Sequence, residues 1–447
     1  MIHQAFGSSD PLKIIRVNYI LPFWCRGMET RVFEEEKAAF VGKRVFLDDF
    51  VLPDYDAFNI RNVKSLVGKV FGVDALKPAL VPDNVVDDFD GVEKVFLVVI
   101  DGLGYNRLLA YVKEHDGFLS EIVGKGVLKP FTSPFPATTS TSLTSIFTGF
   151  TPAEHGVVGY QMFSREYGCV FNTLDMKPVY GYSSEVEIAR DYSRRLKPWM
   201  PVLEERRVGT RIVTKGSIVG SGLSRVIHAG QETVPYSLES EMFVKCKKVL
   251  EQPDSVFLVL YYSGIDTQEH RFGPYSEEVT AEIESFEFLL KNFFGKLSDT
   301  TKRETMIMLT ADHGVCETKR TRYVKDFPEV ADNLLLPPVG DSRTAFLFGK
   351  EGRGERLTRA FERSFDGFKL VACDNLVDTG AFGRSVDSAT LRSVIGDFAG
   401  LSKGPEALAY PYYEDERNRE QHGGHGGMTP EEVIVPLLSI RLSKLGL

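Results

Sequence analysis

The sequence predicts an α/β fold with a mainly parallel central sheet flanked by helices. Three observations carry that prediction. The run VFLVVI at 95–100 is apolar and β-branched without alternation, as expected of a strand covered on both faces. Similar runs recur at 256–262 (VFLVLYY) and 305–310 (TMIMLT), with a weaker one at 211–214 (RIVT). Helix-like segments lie between them, and strands alternating with helices indicate parallel pairing.

The clearest of those helices is 276–297, which opens on Ser276 and acidic residues and has Gly295 near its end. Residues 1–90 precede the first confident core strand and finish in a stretch rich in Pro and Asp, KPALVPDNVVDDFDG. They read as an N-terminal extension or small domain on a linker, ahead of a catalytic unit spanning 91–447. Residues 335–405 run through the strand TAFLF, the helix GERLTRAFERSF, the strand FKLVAC and a second helix. That block reads as a small α/β insertion within the catalytic unit.

A chain of 447 residues exceeds one compact core. Its formal charge of −9 excludes a general nucleic-acid binder, which needs a dense Lys/Arg face. A small anionic substrate remains open, because metal ions can supply local positive charge. The first 30 residues lack the basic and apolar segments of a signal peptide, and the longest apolar runs fall far short of a membrane span. Five widely spaced Cys, with no CxxC pair, fit a reducing compartment. The expectation is a cytoplasmic protein without membrane insertion. Oligomeric state is not legible.

Chemistry-bearing residues sit where such a sheet gathers function, beyond the carboxyl ends of strands. Asp101 follows VFLVVI in VVIDGLGYNRL, where Gly102 and Gly104 let the backbone pass close to an ion. A bare Asp-Gly turn is the alternative. In FTSPFPATTSTSLTSIFTGFTPAEHG, Pro134 and Pro136 precede a run of hydroxyls entering a helix. A hydroxyl there can attack phosphorus while free N–H groups receive phosphate oxygens, although such residues also serve as ordinary caps. YYSGIDTQEHRFGP sets Asp266 and His270 at i and i+4, on one face of a helical turn. MIMLTADHGVCET places Asp312 and His313 after a buried strand, with Cys316 read as a small buried residue. QHGGHGGMTPEEVIVPLLSI offers His422 and His425, and His425 is preferred because GGMTPEE follows it directly. Three Asp, three His and one hydroxyl suit two divalent cations with a nucleophile between them.

The ordered blocks resemble the type I phosphodiesterase/nucleotide pyrophosphatase family of the alkaline phosphatase superfamily, over roughly 94–330 and 420–440. The matching order is DG after a strand, Thr ten residues before the Gly of a TG, PxxHG, DxxxH, DHG, then HGG. The resemblance implies an alkaline-phosphatase-like core and hydrolysis of phosphodiester or pyrophosphate bonds. It implies Thr139 as nucleophile, with Thr138 the nearest competitor. One ion would take Asp266, His270 and His425; the other Asp101, Asp312, His313 and the Thr139 oxygen. Zn²⁺ suits these sets, with Mn²⁺ and Fe²⁺ as alternatives. His155, in PAEHG, is read as structural. Two departures bear on substrate. Many nucleotide-cleaving members carry TFPNHY where this chain has TSTSLT, so Ser140 replaces a base-stacking Phe. Those members tend to have HGIVxNxM, whose Asn contacts phosphate; here HGVVGYQM puts Tyr160 at that position as the substrate-binding candidate. The expected partner is a small phosphoester, a nucleotide among the candidates. A phosphomonoesterase or phosphotransferase on the same fold is one rival, and a non-catalytic metal-binding or scaffolding protein another.

Overall fold

A computed structural model describes residues 23–47, 50–76, 81–181, 188–384, 388–412 and 421–447. Residues 1–22 and 77–80, within the stretch expected to form an N-terminal extension and linker, lie outside that set.

The central sheet has seven strands: β1 (Lys94–Ile100), β2 (Val127–Thr132), β3 (Gly209–Lys215), β4 (Glu232–Tyr236), β5 (Val256–Tyr262), β6 (Thr305–Thr310) and β7 (Ile434–Arg441). Their order is β2-β7-β6-β1-β5-β3-β4. Only β7 runs antiparallel to its neighbours, so the sheet is mixed and mostly parallel. Every residue of β1, β5 and β6 is buried, which is why their sequences show no polar alternation. Each large apolar side chain buried there contributes about 1.5–3 kcal/mol.

Register sets up the site. Lys94 of β1 pairs with both Val256 and Thr305, so the three central strands start level and finish level. Whatever follows Ile100, Tyr262 and Thr310 therefore emerges side by side. Three helices matter here: α1 (Thr139–Thr148), α2 (Gly264–Phe272) and α3 (Glu277–Gly295). Helix α3 is capped as its sequence predicts, with the Ser276 hydroxyl accepting from the Val279 N–H at 3.3 Å.

A second, wholly antiparallel seven-stranded sheet is built from two segments inserted between strands of the first, one between β2 and β3 and one between β6 and β7. Its order is Phe368–Ala372, Phe398–Ser402, Thr344–Leu347, Val339–Gly340, Gln161–Ser164, Cys169–Asn172, Lys177–Gly181. Residues 335–405 thus supply four strands, and the segment just after α1 supplies three. A further apolar cluster, including Leu357, Phe361 and Phe365, packs the helix Gly354–Ser364 on this unit. Ahead of β1, residues such as Phe50, Ile60, Val63 and Leu66 join the main core. Among the described residues no helix is long and apolar enough to cross a membrane.

Candidate active site

The level ends of β1, β5 and β6 bring the predicted residues together. Asp101 leaves β1 with its N–H bound to the Tyr262 carbonyl at 2.9 Å, and the Asp266 N–H reaches back to the Asp101 carbonyl at 3.2 Å. Gly102 turns the chain with φ of +82°, and a Cβ there would lie 2.4 Å from Glu269 Oε2. The Asp101 carboxylate is divided between two tasks. Oδ2 accepts from the Tyr261 hydroxyl, while Oδ1 has no hydrogen-bond donor and lies 3.4 Å from His313 Nε2.

Asp312 is divided in the same way. Oδ1 accepts from the Gly102 and His313 N–H groups at 3.3 and 3.0 Å. Oδ2 is buried without a donor, 3.6 Å from His313 Nε2. The His313 ring sets Nδ1 3.2 Å from the Gly314 carbonyl, so Nδ1 carries the proton and the Nε2 lone pair faces the carboxylates. That lone pair also lies 3.1 Å from Thr139 Oγ1.

Helix α2 presents Asp266 and His270 on one face, with Nε2 of the ring 3.3 Å from Asp266 Oδ1. His270 Nδ1 lies 2.8 Å from the Gly423 carbonyl, which again leaves Nε2 as the free donor atom. His425 stacks on His313 at 3.8 Å between ring centroids, and its Nε2 is 3.9 Å from Asp266 Oδ1. Among the described residues, the donor atoms of two groups of three lie within 4.8 Å of one another: Asp266, His313 and His425; and Asp101, Asp312 and His313. His313 belongs to both, whereas His270 approaches the first through Asp266. His422 contributes backbone only, its N–H donating to the His270 carbonyl at 2.8 Å.

These groups fit divalent cations on their own chemistry. Asp101 Oδ1, Asp266 Oδ1 and Asp312 Oδ2 are buried carboxylate oxygens without donors, an arrangement costly unless a cation compensates it. Burial, then the charges of Asp312 and Asp266, push the Asp101 carboxyl well above the ordinary range. Burial and the neighbouring His313 and His270 hold His425 well below its usual value, in the neutral form that ligates metal.

Thr139 is the first residue of α1, and Thr138 is its N-cap. The helix start is anchored by Ser133, whose hydroxyl donates to the Asp312 carbonyl at 2.6 Å and meets Ser142 Oγ at 2.9 Å. Ser140 is turned away, donating to the Gly159 carbonyl at 3.0 Å. Beside these groups opens a cleft of about 400 Å³, walled by Thr139, Tyr160, Asp266, His270, Asp341 and His425. Tyr160 is 40% exposed and reaches the cleft mouth. Asp341 lies on the wall with its residue partly exposed, and burial of its carboxyl raises that group to about 6. His155 stands outside the site: Nδ1 accepts from the Val157 N–H at 3.0 Å, so Nε2–H donates to Ser145 at 3.0 Å.

Four residues of this environment carry no signal that the sequence reading used: Tyr261, Ser133, Asp341 and Glu269. Glu269 sits between the two ligand candidates of α2 yet is fully buried, with neither carboxylate oxygen bonded. Burial and then the Asp266 charge raise its carboxyl well above the ordinary range.

Residues 95–340 match the sequence model of the type I phosphodiesterase / nucleotide pyrophosphatase family. The chain belongs to that family. Membership makes it a phosphoric ester hydrolase of a metal-dependent kind. Among solved structures it is similar to murine ectonucleotide pyrophosphatase / phosphodiesterase 5, at 16% identity and a TM-score of 0.57, over 77% of this chain and 87% of that one. An inactive threonine-to-alanine variant of the murine protein in complex with AMP superposes with a TM-score of 0.59, at the same identity and coverage. Phosphonoacetate hydrolase from Sinorhizobium meliloti 1021, in complex with phosphonoformate, is 18% identical, with a TM-score of 0.56 over 77% of this chain and 89% of that one. At such identities the likeness establishes the fold alone: an α/β core with a mixed, mostly parallel central sheet and flanking helices. A search of curated proteins gives no match.

Proposed function

We propose that this family member hydrolyses phosphodiester or pyrophosphate bonds, with Thr139 as nucleophile and two divalent ions, Zn²⁺ by preference, as cofactors. The observation that carries the reading is Thr139 Oγ1 at a helix start, 3.1 Å from His313 Nε2 and beside three under-bonded carboxylates. Asp266, His270 and His425 would hold one ion; Asp101, Asp312 and His313, with the Thr139 oxygen, the other. Bound, the ions would lower the pKa of the threonine hydroxyl and stabilise charge on the attacking and leaving oxygens.

The chain's own groups account for the rest. The first N–H groups of α1 have no partner within the helix, so they would be available to a non-bridging phosphoryl oxygen held at Thr139. Thr139 Oγ1 gives up its proton to solvent and attacks phosphorus in line; the P–O bond to the leaving oxygen breaks, that oxygen takes a proton from water and departs as the alcohol, and the substrate is held as a threonine phosphodiester. Water then attacks the same phosphorus, releasing a phosphomonoester and restoring the hydroxyl. Tyr160, at the cleft mouth, contacts the substrate beyond the phosphoryl group. The AMP complex of the murine neighbour and the phosphonoformate complex of the bacterial one support a small phosphoryl or phosphonyl ligand as the substrate class.

The test compares bis-nitrophenyl phosphate with mono-nitrophenyl phosphate in zinc-loaded protein. The diester should be the better substrate by kcat/KM. A large monoester advantage would move the chain to the phosphomonoesterase reading, and absence of turnover of either would remove catalysis.

A further inference from the structure

The three histidine rings of the proposed metal centre are not aimed in the same way. His313 and His270 each have a backbone carbonyl at Nδ1, from Gly314 and Gly423 respectively. His425 Nδ1 is buried with no hydrogen-bond partner. A metal-binding ring ordinarily has such a partner, and it fixes the ring's orientation. The aim of His425 therefore falls to the backbone that carries it and to its stack on His313.

That backbone is held by one fully buried ion pair. Glu432, in the helix Pro430–Val433, accepts the Gly427 N–H through Oε1 and the Thr429 hydroxyl through Oε2, each at 2.7 Å. Facing it is Arg343, between the strands Val339–Gly340 and Thr344–Leu347 of the second sheet. Arg343 Nε lies 2.8 Å from Glu432 Oε1, and Nη2 lies 3.3 Å from Oε2. Nη1 donates to the Gly404 carbonyl at 2.6 Å, which anchors the guanidinium beside the strand Phe398–Ser402. Neither side chain of the pair is exposed to water. The glycines flanking His425 permit the close approach. A Cβ on Gly424 would lie 3.4 Å from Arg343 Cδ, and one on Gly426, where φ is +104°, would lie 2.4 Å from Asp341 Cβ.

We propose that Arg343, through Glu432, is a positioning residue for His425, so that the second sheet sets the affinity of one of the two metal ions. The idea rests on the reading that His425 ligates an ion together with Asp266 and His270. Arg343 fixes the Glu432 carboxylate, the carboxylate holds the Gly427 N–H, and Gly427 lies two residues from His425. The other ion's carboxylates have holds of their own: Asp312 Oδ1 takes the Gly102 and His313 N–H groups, and Asp101 Oδ2 takes the Tyr261 hydroxyl. Loosening Arg343 therefore acts on one ion and spares the other. The Glu432 carbonyl also accepts the Gly314 N–H beside His313, at 2.9 Å, so the test is made at Arg343 rather than at Glu432.

The experiment measures the affinity of each Zn²⁺ by chelator competition in the full chain, with thermal midpoints alongside. The set is wild type, His425→Ala, Arg343→Met, Arg343→Lys and the His425→Ala/Arg343→Met pair. His425→Ala identifies which ion that ring serves. Arg343→Met should weaken the same ion about 10–100-fold, and at least fivefold more than it weakens the other. Arg343→Lys keeps the charge without the planar fork, so it should shift the ratio of the two affinities the same way, by more than twofold but less than Arg343→Met does. Adding Arg343→Met to His425→Ala should weaken that ion less than threefold further, because the ring that Arg343 aims is already gone. An ion pair with only a structural role would lower the thermal midpoint and leave the ratio of affinities unchanged. Selectivity below fivefold in Arg343→Met overturns the inference, as does a further loss of threefold or more in the pair. Should Arg343→Met not fold, Arg343→Lys decides, and a ratio within twofold of wild type overturns the inference. A wild type that binds at most one ion, or a His425→Ala that weakens neither, would instead sink the two-metal reading, a different result from any of these.

Discussion

Tyr261→Phe isolates one atom of the proposed metal centre. The Tyr261 hydroxyl donates to Asp101 Oδ2, and the ring itself is buried in β5. Phenylalanine keeps that packing and removes only the donor. Asp101 would then have two buried oxygens without hydrogen bonds, because Oδ1 already lacks one. Leaving a buried acceptor unsatisfied costs about 1–3 kcal/mol. Loss of such an outer partner typically weakens metal affinity about 10–100-fold, equivalent to about 1.4–2.8 kcal/mol. The two figures agree, and they act in one direction: a carboxylate without its orienting donor rotates, and it competes less well for a cation against a proton. Chelator competition with Zn²⁺ on wild type and variant measures this directly. We expect one of two ions to bind about 10–100-fold more weakly, with the other unaffected within a few-fold. Equal affinities for both ions in wild type and variant would refute the argument that Tyr261 orients a ligand.

Elemental analysis of the fully loaded chain should find two divalent ions, and His425→Ala should weaken chiefly the ion shared with Asp266 and His270; at most one ion in the wild type would remove the two-metal reading. With Ser140 turned to a backbone carbonyl and Tyr160 at the cleft mouth, discrimination among nucleobases should be weak; a strong preference for one nucleotide in a kcat/KM comparison would reveal a base pocket built from other residues. Stability should carry an acid limb from His155, whose burial lowers its pKa from 6.5 to about 3. The unfolded chain binds that proton and the folded one does not, so stability is full above about pH 6.5 and falls as pH drops towards about 3, by up to about 1.4 kcal/mol per unit. Urea unfolding at several pH values should show a slope about one proton shallower in His155→Asn, and identical slopes would contradict this assignment.

What was legible in the chain follows from burial. Strands β1, β5 and β6 are covered on both faces, so their sequences are unbroken apolar runs that stop where Asp101, the Asp266 segment and Asp312 begin. Level register then assembles those ends, which is why residues some 210 positions apart in sequence could be read as one place. Helix α3 was legible from its Ser276 cap. The second sheet was harder to see. Its strands Gln161–Ser164 and Lys177–Gly181 are short and half exposed, and the latter contains Pro178, so neither patterning nor propensity marks them. The supporting residues were hidden for another reason. Tyr261 looks like any strand aromatic, Ser133 like a turn residue and Asp341 like part of a polar loop; only the packing of one segment on another gives them partners. Glu269, read alone, belongs on a solvated helix face, and it is the approach of Gly102 that places it inside.

The central claim is that Thr139 attacks phosphorus, and turnover of a diester by Thr139→Ala and Thr138→Ala at matched metal occupancy tests it most directly. Thr139→Ala should lose several orders of magnitude in kcat, as removal of a hydrolase nucleophile commonly does, while Thr139→Ser retains much of the activity and Thr138→Ala is far milder. The inactive variant being Thr138→Ala, with Thr139→Ala active, would place the nucleophile one residue earlier; both variants remaining active would contradict covalent catalysis by this helix.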